Sequence, residues 1–275
     1  MKKHKGKILV LFLAVLLVSF MSCENSFLKK MLVEEEKGKT VPEKPQAPFI
    51  EGGALLILSP DKLDIKVKVT TADNSSVRIE GCTETELTSG TQTVLHAKGT
   101  RVILKGNIIK LYCEKNQLTA LNVQGLTALQ GLDCKKNQLT ALNVQGLTTL
   151  YVLLCDNNQL TALNVQGLTA LQTLKCSGNQ LTALNVQGLT ALQTLWCYNN
   201  QLTADAFKKL FDDLPVRQDS DNAKCILYTE ESGVSESNHT DFSAPSDLAD
   251  AFNNAKNNKK WKMYKINGRG HWVEI

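Results

Sequence analysis

The chain has 275 residues, 43% of them hydrophobic and 21% charged, with a formal net charge of +4. That length suffices for one sizeable core or a capped array of repeats. Lys2, Lys3, Lys5 and Lys7 account for the whole charge excess, because the 31 basic residues less those four equal the 27 acidic ones; the remainder is neutral and carries no basic footprint for nucleic acid.

Residues 1–22 read as a signal peptide. The four lysines form a cationic start, and Ile8 to Met21 is an apolar run broken only by Ser19, too short to cross a bilayer as a mature helix. Phe20 is too large for an ordinary signal-peptidase cut after Ser22, which wants small residues on its N-terminal side. Val18-Ser19-Phe20-Met21-Ser22-Cys23 instead resembles a bacterial lipobox, with Phe20 where Leu is usual. The resemblance implies a lipid on Cys23, export across the inner membrane and an anchor at the cell envelope, on the outer membrane or cell surface. A plain secretory signal that leaves Cys23 as a thiol is the alternative. Residues 23–53 hold Glu34-Glu35-Glu36, Lys37, Lys39 and three prolines with little apolar periodicity, and read as a flexible tether.

Residues 54–104 alternate apolar and polar side chains, as in Leu63 to Val69 and Val77 to Ile79, which predicts strands forming a β-rich N-terminal cap. From 105 to 202 the chain repeats every 21 residues. Cys113, Cys134, Cys155, Cys176 and Cys197 fall on that period, as do Asn116, Asn137, Asn158, Asn179 and Asn200, and NQLTALNVQGLT recurs unchanged at 116–127, 137–148, 158–169 and 179–190.

Each unit, for example Leu129-Gln-Gly-Leu132-Asp-Cys134-Lys-Lys-Asn137-Gln-Leu139, resembles the leucine-rich repeat pattern LxxLxLxxNxL with Cys in place of one Leu. The resemblance implies an α/β-type solenoid: five coils, one short parallel strand per coil on the concave side, and Asn side chains bonded to backbone in the bend that follows. The two-residue period of a strand independently turns Leu132 and Cys134 one way and Gly131, Asp133 and Lys135 the other. A single coil is too small to bury its Leu face, so coils must stack and be capped.

Residues 203–275 supply an α+β C-terminal cap. Phe207, Leu210, Phe211 and Leu214 share a helical face before Pro215, Cys225 to Tyr228 and Trp261 to Ile266 read as strands, a second helix begins near Pro245, and Asn267-Gly268 marks a turn before His271 to Ile275. KCILYTEESGV and WKMYKINGRGHWVEI resemble the C-terminal region of leucine-rich-repeat surface lipoproteins of treponemes and related spirochaetes.

Five cysteines in register invite a disulfide or metal reading. Ladder neighbours lie about 5 Å apart at Cβ, beyond disulfide reach, and a linear stack offers no tetrahedral ligand set. Buried free thiols are the expectation, with Cys82 and Cys225 unpaired in opposite caps and no metal or cofactor. Gly125 and Gly146 are read as tight bends on the convex side. No catalytic motif is present, and His96, His239 and His271 lie on separate segments, so the chain reads as a non-enzyme.

The near-identical copies serve as their own comparison. They differ mainly at Tyr112, Asp133, Leu154, Lys175 and Trp196, and at Glu114, Lys135, Asp156, Ser177 and Tyr198, two rows that share the outward strand face. That pattern predicts a non-catalytic protein-binding surface for adhesion or recognition of a host, matrix or bacterial protein, with the hot spot at Trp196 and Tyr198. A structural or self-associating envelope protein is the alternative.

Overall fold

A computed structural model describes residues 47–275; the segment read as a signal peptide, Cys23 and most of the segment read as a tether lie outside them. The N-terminal strands are β1 (Gly53–Ile57), β2 (Asp64–Thr71), β3 (Val77–Glu80), β4 (Glu86–Leu87), β5 (Gln92–His96) and β6 (Arg101–Lys105). The repeats give β7 (Ile108–Tyr112), β8 (Ala120–Asn122), β9 (Gly131–Asp133), β10 (Val152–Leu154), β11 (Thr173–Lys175) and β12 (Thr194–Trp196). The C-terminal part holds helix α1 (Ala204–Asp213), β13 (Lys224–Thr229), helix α2 (Ser246–Asn257), β14 (Lys262–Ile266) and β15 (Trp272–Glu274).

Two sheets result. The larger has the order β15-β14-β13-β12-β11-β10-β9-β7-β2-β5, parallel from β7 to β14 and antiparallel at both ends; the smaller is β4-β3-β6-β1-β8. The strand alternation explains the larger one. Leu111, Leu132, Leu153, Leu174 and Leu195 stand in register and are buried, and the thiols of Cys113, Cys134, Cys155, Cys176 and Cys197 follow them inward with no exposure. Leu139, Leu142, Val144 and Leu147 of the return segment close the same coil, and one apolar core runs from Ala54 to Met263.

The return segments of the repeats are turns without helix, so all described helix lies in the C-terminal part and the coils are less α/β in character than expected. A 21-residue coil that spends residues on a strand and two bends has no helical turn to spare. The N-terminal strands also do more than cover an end. β2 pairs antiparallel with β7 and extends the main sheet, so the edge of the first coil is hydrogen-bonded, while β8 is drawn into the second sheet by β1.

At the other end, Thr203 caps α1 by accepting from Ala206 N–H, and α1 buries Phe207, Leu210 and Phe211. Phe242 and Phe252 complete an aromatic cluster over these rings at centroid distances of 5.1–5.5 Å. Trp261 lies fully inside, its indole N–H donating to Pro215 O at 2.8 Å.

Candidate interaction face

The asparagine ladder fixes the register from which the face is built. Asn158 Oδ1 accepts from Leu139 N–H of the preceding coil at 3.0 Å, while its Nδ2 donates to Cys134 O and Cys155 O at 3.1 and 3.0 Å. Asn137, Asn179 and Asn200 repeat the arrangement. Asn116 joins the ladder to β2 through Lys66 N–H and O. Each bend is otherwise a run of unpaired buried backbone groups, and one side chain satisfies three of them across two coils.

The residue before each ladder asparagine is left-handed: Lys115, Lys136, Asn157, Gly178 and Asn199 have φ between 52° and 63°. On the opposite side, Gly146, Gly167 and Gly188 have φ near 80° and make the expected bends. Gly125 differs. It is glycine because a Cβ there would sit 1.8 Å from Ile50 O, a close approach rather than a bend.

The outward positions form rows down the sheet. Tyr112, Asp133, Leu154, Lys175 and Trp196 are strand neighbours in register, and Glu114, Lys135, Asp156, Ser177 and Tyr198 follow two residues later, where backbone bonds such as Lys136 N–H to Asp156 O continue the ladder. The ladder Asn and Cys residues lie inside and take no part in the surface. A third row, Lys110, Gly131, Val152, Thr173 and Thr194, shares this face and passes on to Lys224 and Lys262. The same two-residue period that turns Gly131 outward reveals this row in the sequence, and the copies differ there as well.

The rows differ in how open they are. Asp133 is only 6% exposed and Ser177 2%, so neither presents its side chain freely. Lys135 takes the Asp133 carboxylate in an ion pair. Asp156 keeps only the Asn157 amide, on Oδ2 at 3.0 Å; its Oδ1 is closed off from solvent with no partner among the described residues, and burial raises its pKa. Lys175 lays its ammonium 3.4 Å from the centroid of the Trp196 ring, and burial lowers its pKa. Burial likewise raises the pKa of Tyr198.

Trp196 is therefore outward but not free. Trp272 of β15 packs edge-to-face against it at 5.3 Å and also lies 6.1 Å from Tyr264, with Lys224 at 5.3 Å from the Trp272 centroid. Ile226, which stands between Trp196 and Tyr264 in register, is completely buried under this arch. Nε1 of Trp196 has no hydrogen-bond partner among the described residues. Trp272 itself is 44% exposed. No spacing in the sequence ties it to the repeats, because an antiparallel hairpin brings it there. Among the described residues, no group of His, Cys, Asp and Glu is arranged to hold a metal ion.

Residues 169–210 match the family model described as Leucine Rich repeats (2 copies). The match covers the last two coils, and the same 21-residue spacing runs through the preceding ones. Among curated proteins none matches the chain. Of solved structures, this chain is similar to one described as the functional domain of InlJ from Listeria monocytogenes, which includes a cysteine ladder. The two are 33% identical over 44% of this chain, with a TM-score of 0.38, and the match spans 26% of the InlJ chain.

Proposed function

We propose that this leucine-rich-repeat protein is a non-catalytic cell-surface protein, lipid-anchored through Cys23, that recognises a host, matrix or bacterial protein through the open face of its parallel sheet. One observation carries the reading. Between Asn116 and Leu202 the copies hold five charged residues, Asp133, Lys135, Lys136, Asp156 and Lys175, and four of them fall in the two variable rows, where the repeats' tryptophan also stands. A sheet needed only as scaffold would tolerate any strand former there, whereas the return segments keep an uncharged sequence unchanged.

A photo-crosslinking residue at Leu154, on the face, and at Gln166, on an exposed return segment, tests it against candidate matrix and cell-surface proteins. Adducts are expected at 154 alone, competed by unlabelled chain; equal labelling at both positions, or none at 154, rejects the reading. The anchor is tested separately. Palmitate should label the wild type and not Cys23→Ala, and protease treatment of intact cells should remove the protein.

A further inference from the structure

Two of the five exposed large apolar side chains among the described residues, Trp272 and Val273, are neighbours on β15, outside the repeats. Trp272 reaches across the sheet, so the last repeat strand and the C-terminal strands share one surface: Trp196, Trp272 and Tyr264 in a row of rings, bordered by Lys175 and Lys224. Both ammoniums sit against indole faces, and among the described residues neither has a carboxylate within ion-pair distance. Lys262 follows Lys224 in the same row. The nearby carboxylates are Asp156, one coil away, Asp133, already paired with Lys135, Glu236, held by backbone N–H groups, Glu231 near Tyr198, and Glu274, opposite Tyr264.

We propose that this surface is an anchor for an acidic segment of the partner protein that carries a large apolar side chain. The proposal deepens the recognition function above and rests on it for the protein nature of the partner. The half-exposed Trp272 ring takes the apolar group, as buried aromatic anchors do at interfaces, and a carboxylate on either side of it meets Lys175 and Lys224. The ammoniums need not be moved into place, because the indoles already hold them. A basic segment would meet the same two cations and be repelled.

The chain has three tryptophans, so labelling it with 5-fluorotryptophan gives three fluorine signals, with the buried Trp261 as internal control. The probes are the peptide amides acetyl-Glu-Phe-Glu and acetyl-Lys-Phe-Lys and a heparin oligosaccharide. The acidic peptide is expected to shift the Trp272 and Trp196 signals saturably and leave Trp261 in place. Lys224→Glu should weaken that binding roughly tenfold, the change that about 1.4 kcal/mol represents. Trp272→Ala, at an exposed side chain, should abolish the response that remains visible at Trp196. No saturable shift, an equal response to the basic peptide, or a response to the oligosaccharide alone overturns the proposal. Those outcomes leave the crosslinking at Leu154 unaffected, so failure of the anchor is distinguishable from failure of the recognition reading.

Discussion

A ladder asparagine does at single-residue scale what a capping motif does for a helix: it pairs backbone groups that the bend would otherwise bury unsatisfied. Asn158→Ala leaves Leu139 N–H without its acceptor and removes one donor from each of Cys134 O and Cys155 O. The two carbonyls keep the amides of Asn137 and Asn179, so one buried group is left unpaired and the loss should be roughly 1–3 kcal/mol by denaturant unfolding; a change under about 0.5 kcal/mol would mean that water replaces the amide. Gly167→Ala should cost about 1 kcal/mol or more, because its φ of +80° disfavours any side chain even though nothing would touch the added Cβ.

Asp156 behaves in the opposite sense. Its folded pKa is raised by burial, so the native state binds the proton more tightly than the unfolded chain and stability falls as pH rises through that range. Asp156→Asn should therefore melt higher than wild type at neutral pH, with the gap narrowing on acidification; a constant gap across pH would show that the carboxylate charge is not the cause.

At the scale of elements, the C-terminal part is joined to the repeats by imitation of their own bonding. Asn238 Oδ1 accepts from Leu202 N–H at 2.9 Å and its Nδ2 donates to Cys197 O and Leu227 O, both at 2.9 Å, which makes it a further rung of the ladder supplied by a loop. Glu236 secures that loop by accepting from the backbone N–H groups of Asn199, Thr229 and Asn238. Asn238→Ala should speed amide exchange across β13 and β14 while β9 to β11 stay protected. The sequence could not announce this rung, since Asn238 obeys no period and lies 36 residues from the Leu it serves. The inward Leu, Cys and Asn columns were legible because repetition displays them five times.

The outward rows were half legible for a related reason. Strand alternation gives direction but not cover, and the cover on Trp196 comes from a hairpin beyond the repeats. From the sequence alone, with Trp196 as an outward hot spot, Trp196→Ala should weaken ligand binding with little change in melting. With Trp272 edge-on at 5.3 Å and Lys175 on the ring face at 3.4 Å, it should instead cost about 1–2 kcal/mol. Equal melting of variant and wild type would return Trp196 to the status of a free anchor.

Across the whole molecule, no coil depends on a distant one. Every rung ties a coil to its immediate neighbour, so stability should grow by near-equal increments with each copy. Deleting residues 137–157 joins Lys136 to Asn158 and restores the sequence NQLTALNVQGLT in frame, with ladder and core columns intact. The shortened chain should fold with an unchanged far-ultraviolet spectrum per residue and a lower unfolding midpoint; collapse into an unfolded chain would show coupling beyond neighbours. In the shortened sheet Asp133 would stand beside Lys175, and the lysines of β2 would lie about 4.8 Å nearer the Trp272 arch. Segments identical over twelve residues are points at which unequal crossover preserves both frame and register. Gaining or losing one 21-residue copy would therefore move the two ends of the face apart or together by one strand, with every side chain of the remaining rows left as it is.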